Sequence, residues 1–285
     1  MKTGIVMEGG AMRGMFTCGV LDVLMEEGIT FDGAVGVSAG ATFGCNLKSG
    51  QIGRALRYNK KYCTDKRYHS ISSLIATGDI YNVDFCYEKL PYELDKWDLE
   101  AFQKNPMEFY CVATDAVTGK PVYYKCENGD RKDIKWIQAS ASMPLVSRPV
   151  EIDGGVYLDG GISDSIPLKF MEEKGYDKIL VIETQPRDYV KGKQKYMPLV
   201  RLMLRKYPGM IKAMEDRYLM YNEEKRYIRD KEKNKEVLVI RPREPLNISP
   251  VEKDPGELER VYQLGRAAGE QKLEEIKEYF KGDKA

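Results

Sequence analysis

The chain is 285 residues long and holds a single histidine, His69. That scarcity removes most ordinary zinc sites, which draw on histidine or on paired cysteines. Six cysteines are present, Cys18, Cys45, Cys63, Cys86, Cys111 and Cys126, and no two stand in a Cys-x-x-Cys pair. Several have apolar neighbours, where a thiol packs as a small hydrophobe. All six are therefore expected to be reduced, as in a cytosolic protein. A dominant charge is missing too. Lys and Arg number 45 against 44 Asp and Glu, a net charge of +1, which excludes a strongly basic nucleic-acid binder. No run approaches the ~18 apolar residues of a membrane-spanning helix. The short apolar start meets Gly9-Gly10 at once, unlike a signal peptide. These absences place the chain in the cytoplasm, with peripheral contact to the inner membrane face as the only membrane association expected.

What the chain does have is alternation. Hydrophobic residues make up 42%, enough for a sizeable core. "TGIVME" (3–8) reads as a strand bounded by Gly9-Gly10. In residues 14–28, Phe16, Val20, Val23 and Leu24 recur at helical spacing and Gly28 lies where a helix would stop. "FDGAVGVS" reads as a second buried strand, and a helix starts directly after it. Strand, glycine turn, helix, strand, sharp turn, helix predicts an α/β fold with a largely parallel sheet flanked by helices. Residues 53–100 read as helical and irregular, 107–116 and 119–126 as two strands, and 134–143 as a helix ended by Pro144. "EIDGGVYLDGG" (151–161) suggests a tight hairpin between two Asp-Gly-Gly groups. A helix (166–175) and a core strand (177–184) follow. Residues 191–235 have helical spacing interrupted by Pro198 and Pro208. A strand (235–242) and a long helix close the chain. The reading is one domain over 1–285, with core motifs in 3–185 and a helical appendage at about 187–234.

Three motifs carry chemistry. "GVSAG" is a Gly-x-Ser-x-Gly frame between a strand and a helix. Gly36 and Gly40 leave room for a strained turn that projects the Ser38 hydroxyl, and the helix that follows aims its first N–H groups at the site. Taken alone the frame also fits an incidental serine in a small-residue turn. The second motif is "EGGAMRG". The N–H groups of such a loop, at Gly9, Gly10, Ala11 and on to Gly14, can converge on an oxyanion. A dinucleotide fingerprint fits poorly, because Ala11 stands at the third position and no ribose-binding acid ends the next strand. Arg13 has three readings: it anchors the loop, meets a phosphate, or forms a structural ion pair. The third motif, "YLDGGISDSIP", offers Asp159. A carboxylate within reach can accept a serine proton directly, and burial raises its basicity. Asp153-Gly154-Gly155 reads as a plain turn or as a second candidate. His69 sits in a polar segment ahead of every candidate acid, whereas in the usual hydrolase order the histidine comes last.

In these motifs the sequence resembles the patatin-like phospholipases, the bacterial ones in particular. "EGGAMRG", "GVSAG" and the "DGG" at 159–161 match in order. "ATDAVTGKPVYY" and "ASASMPLVSRPVEIDGGVYLDGGISDSIPL" are similar as well, so the likeness covers roughly residues 3–185. The resemblance implies a three-layer α/β/α sandwich and a Ser38–Asp159 dyad without histidine. It places an oxyanion hole at Gly10 and Ala11, and it requires no metal or organic cofactor. It favours Asp159 over Asp153, since Ser163–Pro167 follows as in the family. One departure concerns Ala11, which stands where the family loop carries a third glycine, and alanine does not readily adopt φ > 0.

The activity this implies is acyl transfer from a phospholipid, lysophospholipid or similar ester to water through an acyl-enzyme. The alternatives are an acyltransferase to lipid or alcohol acceptors, and a catalytically weak membrane-associated regulator. Two basic, tyrosine-containing segments, 53–68 and 191–214, fit either an anionic lipid surface or solvated helix faces. A lipid ester is the expected partner, nucleic acid is not, and the sequence leaves oligomeric state open.

Overall fold

The computed structural model describes residues 1–281, arranged about one eight-stranded sheet. Its strands are β1 (Thr3–Met7), β2 (Gly33–Val37), β3 (Glu108–Asp115), β4 (Pro121–Cys126), β5 (Val150–Ile152), β6 (Gly155–Asp159), β7 (Lys178–Ile182) and β8 (Val237–Ile240). The order across the sheet is β5-β6-β3-β2-β1-β7-β8, with β4 also paired to β3. The run β3-β2-β1-β7-β8 is parallel; β4, β5 and β6 form an antiparallel margin. The core strands β1, β2 and β7 are apolar and buried almost throughout, as expected where both faces of a parallel sheet are covered.

The helices are α1 (Gly14–Glu26), α2 (Ala39–Ser49), α3 (Arg54–Tyr62), α4 (Ile71–Thr77), α5 (Leu99–Lys104), α6 (Arg131–Ser140), α7 (Leu168–Glu173), α8 (Met197–Met203), α9 (Pro208–Lys233) and α10 (Pro255–Lys281). A wide-turned helix with Pro91 inside it spans Phe85–Leu94. One face of the sheet packs with α1, α2 and α10 around Phe16, Leu24, Phe109 and Val261. The other packs with α7 and α9 around Phe170, Met171, Tyr221 and Ile228. The result is an α/β/α sandwich. The α1–α10 crossing is close because it lacks side chains at its centre. A Cβ on Gly19 would lie 2.1 Å from the Tyr262 carbonyl oxygen, and one on Gly265 would lie 2.0 Å from that of Phe16.

Several boundaries differ from the sequence reading. The α6 helix begins at Arg131 because Asp130 caps it, accepting from the Lys132 and Asp133 N–H groups; it ends at Ser140, short of Pro144. The hairpin turns at the first Asp-Gly-Gly, where Asp153 and Gly154 take φ of 49° and 81°. The second group ends β6 instead. Pro198 and Pro208 open α8 and α9 within their first turns, where the missing N–H costs nothing. The six cysteines are free thiols.

Candidate active site

The loop after β1 and the turn after β2 meet at one point. Ser38 leaves β2 with φ 54° and ψ −120° and accepts the first turn of α2, its carbonyl taking N–H bonds from Ala41 and Thr42 at 3.0 Å each. Positive φ in a non-glycine residue stores strain that surrounding packing must hold. Its neighbours explain the glycine frame. A Cβ on Gly36 would lie 2.4 Å from the Gly40 carbonyl oxygen, and one on Gly40 would lie 2.3 Å from that of Met7. The Ser38 N–H is fixed by Ser140 Oγ at 3.0 Å, a contact between α6 and the elbow that no local motif signals.

The loop after β1 lies against this elbow. A Cβ on Gly9 would approach Ser38 Cβ to 2.9 Å. Ala11 stands at φ 48°, so the alanine does take the left-handed conformation, at a cost of about 1 kcal/mol. Among the described residues, no acceptor engages the N–H groups of Gly9, Gly10 or Ala11, nor that of Ala39 at the start of α2. Gly14 has a different role from the expected one. It starts α1 at ordinary helical φ, and a Cβ there would press on the Phe43 ring at 2.8 Å. It packs α1 on α2 and lies outside the cavity lining.

Asp159 enters the same cavity at the end of β6. Its N–H donates to Ser142 O at 2.9 Å, its Oδ1 accepts from Gly161 N–H at 2.8 Å, and its Oδ2 is buried without a partner. The Ser38 hydroxyl neighbours this carboxyl and favours its ionised form, but the contact falls short of hydrogen-bond geometry. Such loose contacts are common in unliganded sites. Burial pushes the Asp159 carboxyl above its ordinary range, opposed by the Arg217 guanidinium, the Ser38 hydroxyl and the Gly161 N–H. Gly160 is required by a close approach, since a Cβ would lie 2.1 Å from Val112 O. Asp153 is elsewhere, exposed in the hairpin turn and paired with Lys132 at 2.7 Å.

His69 is also elsewhere. It is buried behind the cavity wall, between the rings of Tyr68 and Tyr81, with Nε2 unpartnered. Burial lowers its pKa. The tyrosines line the cavity; the histidine does not.

The cavity holds about 670 Å³ and combines two kinds of lining. Tyr58, Tyr87, Leu90, Trp97, Ile134 and Ile137 are apolar; Glu8, Arg13, Asp159, Lys191, Arg217 and Tyr221 are polar. A volume of this size suits a drug-sized or single-chain ligand. Sequence reasoning missed Lys191, Arg217 and Tyr221. One signal was available: Met210, Met214, Arg217, Tyr221, Lys225 and Ile228 follow at steps of three and four, which puts two cations on a buried helix face. Glu8 is held by Tyr221 Oη at 2.6 Å and Thr184 N–H at 2.5 Å. Among the described residues no group of His, Cys, Asp and Glu could hold a metal ion, and no helix is long and apolar enough to cross a membrane.

The basic segments resolve differently. In 53–68, Arg54 and Arg57 are held by Asp95, Lys60 by Glu259 and Arg67 by Asp65. In 191–214, Tyr196, Leu199, Leu202 and Met203 are exposed on and beside α8.

A family model described as patatin-like phospholipase matches residues 5–171, and one described as a domain of unknown function (DUF6363) matches residues 207–281. The uncharacterized protein YjjU of Escherichia coli K12 is 28% identical over 94% of this chain and 76% of its own length. The uncharacterized NTE family protein Rv1063c of Mycobacterium tuberculosis H37Rv is 26% identical over 59% of this chain and 44% of its own. Lysophospholipase NTE1 of Cryptococcus neoformans is 27% identical over 66% of this chain, which spans 12% of that protein. The crystal structure of VipD from Legionella pneumophila covers 96% of this chain and 67% of its own, with a TM-score of 0.50 at 14% identity, a likeness of fold.

Proposed function

We propose, since the chain belongs to the patatin-like phospholipase family of lipid-hydrolysing serine esterases, that it cleaves acyl esters of phospholipids or lysophospholipids with Ser38 as nucleophile and Asp159 as base. One observation carries the reading: the unpartnered, buried Oδ2 of Asp159 shares a cavity with the Ser38 hydroxyl and with unengaged loop N–H groups, and the histidine is outside it. Ser38 Oγ attacks the ester carbonyl as its proton passes to Asp159 Oδ2. The Gly10 and Ala11 N–H groups hold the oxyanion, where one lost donor costs on the order of 10²–10³ in rate. The tetrahedral adduct collapses, the leaving alcohol takes the proton from Asp159, and the acyl group stays on Ser38. Water then gives a proton to Asp159 and attacks the acyl-serine; the proton returns to Ser38 as the fatty acid leaves.

The apolar lining receives the acyl chain. The exposed α8 side chains, with Lys193, Lys195 and Arg205 nearby in sequence, meet the lipid surface. Anionic vesicles containing lysophospholipid test both statements at once. The protein is expected to sediment with them and to release free fatty acid, even when a competing alcohol is supplied as acceptor. Binding without turnover of any ester would mean a regulator, and transfer to the alcohol would mean a transferase.

The base sets a pH dependence. Because burial raises the Asp159 pKa, the active carboxylate is lost as pH falls through a value above that of free aspartate, about 3.9. The acid limb of kcat/KM is therefore expected above pH ~4. A profile flat to below that point would remove Asp159 from the base role.

A further inference from the structure

Of the four cations that line the cavity, Arg54 is paired with Asp95, whereas Arg13, Lys191 and Arg217 neither give nor take a proton in the proposed acyl transfer. Arg217, on α9, donates from Nε to Gly161 O at 2.6 Å, and its Nη1 lies 4.0 Å from Met143 Sδ. Lys191 is fixed at its backbone by Asn222, whose side chain accepts from its N–H at 2.8 Å and donates to its carbonyl at 3.0 Å. Its ammonium sits 4.5 Å from the centre of the Tyr221 ring. Arg13 has a buried Nε without a partner.

Among the described residues, none of the three has a carboxylate within ion-pair distance. Their neighbours along the chain do: Arg201 has Glu215, Lys212 has Asp216 and Lys225 has Glu183. Two of the three carboxylates that share the cavity are engaged by other groups. Glu8 takes Tyr221 and Thr184, and Asp79 takes the Arg148 N–H at 2.9 Å. Asp159 offers only long-range attraction to Arg217. Burial, then the nearby Arg217, brings Lys191 down to about 8, with Arg13 adding to the fall and Glu8 and Glu224 opposing it. A half-buried set of unpaired cations is unfavourable until an anion completes it.

We propose that Lys191 and Arg217, with Arg13, bind the phosphate of an anionic lipid head group while the acyl ester lies at Ser38. The inference rests on the esterase reading of that serine. Guanidinium and ammonium supply complementary donors, Arg as a two-pronged fork and Lys as a point charge. Lys191 and Arg217 both fall outside the stretch matched by the phospholipase model, and Arg217 falls inside the domain of unknown function. The C-terminal region thereby gains a task, which is to read the head group for a catalytic centre built by the N-terminal motifs.

Calorimetry on the Ser38→Ala protein tests this without turnover. The ligands are a 1-O-alkylglycerol 3-phosphate, the neutral 1-O-alkylglycerol of equal chain length, each below its micellar concentration, and inorganic phosphate. The phosphate-bearing ether is expected to bind at least tenfold more tightly than the neutral one. Lys191→Met and Arg217→Gln are each expected to remove most of that preference, with Lys191→Arg and Arg217→Lys restoring part of it. If Arg217→Gln fails to fold by circular dichroism, Lys191→Met decides. Equal binding of the two ethers, or a preference that survives Lys191→Met, overturns the proposal. So does inorganic phosphate binding as tightly as the ether phosphate, which would make this a free-anion site. Fatty-acid release by the unsubstituted enzyme is measured separately, so a failure of the esterase reading and a failure of the subsite give different results.

Discussion

Ser38→Ala is expected to abolish covalent labelling by a fluorophosphonate and to lower kcat/KM toward any ester substrate by on the order of 10⁴–10⁶. The size follows from the proposed role: without the oxygen no acyl-enzyme would form, and the remaining loop amides and cavity would supply only binding and oxyanion stabilisation. The substitution should be structurally mild. The strained φ of 54° at position 38 is held by backbone contacts to α2 and by the Ser140 hydroxyl on the amide, none of which uses the serine side chain. An alanine at this position therefore keeps the elbow, and circular dichroism and melting temperature should stay near those of the unsubstituted protein. Turnover and labelling that persist unchanged in a folded Ser38→Ala protein would move the nucleophile elsewhere.

Asp159→Asn carries the second large effect, a fall in kcat of on the order of 10³–10⁴ on the scale of acid-to-amide changes in serine hydrolases. Here the acid is proposed to take the proton itself, so the amide removes the base outright. Asparagine keeps the shape and can still accept from the Gly161 N–H. The unpartnered Oδ2 position becomes an NH₂ donor or carbonyl, neither of which deprotonates an alcohol. The contrast is His69→Gln. His69 lies behind Tyr68 and Tyr81 with an unpartnered Nε2, so its loss is expected to leave kcat/KM within about twofold, at the scale of a substitution remote from the site. Stopped assays of both variants on one ester check the pair. A large loss with His69→Gln and a small one with Asp159→Asn would reverse the assignment.

The parts of the site visible in the sequence are those that local backbone geometry dictates. A strand that ends in Gly-x-Ser-x-Gly needs its glycines because Gly36 and Gly40 nearly touch carbonyl oxygens, so composition records the turn. The same holds at Asp159, where Gly160 meets Val112 O. Choosing between the two Asp-Gly-Gly groups was harder. The groups themselves are alike and only the Ser163–Pro167 stretch after the second favours Asp159 in the sequence; the physical difference is tertiary, since one turns a hairpin at φ 49° in solvent and the other ends a strand in the cavity. Gly14 starts α1 and packs against Phe43, and a helix-packing glycine and an oxyanion glycine look the same in one dimension. The Asp130 cap explains the early start of α6, since a capping carboxylate satisfies the first-turn amides. Lys191, Arg217 and Ser140 were not singled out because each reaches the site through long-range packing. Their local surroundings are an ordinary basic segment, an amphipathic helix and a small-residue run.

The central claim, that a lone carboxylate activates Ser38, is tested most directly by the rate of fluorophosphonate labelling, followed by intact mass in the unsubstituted, Asp159→Asn and His69→Gln proteins. This reads nucleophile activation without knowledge of the natural substrate. The account predicts labelling slowed by at least about 100-fold in Asp159→Asn, the scale of lost general-base assistance, and near the unsubstituted rate in His69→Gln. Asp159→Asn protein that labels as fast as the unsubstituted chain would contradict it.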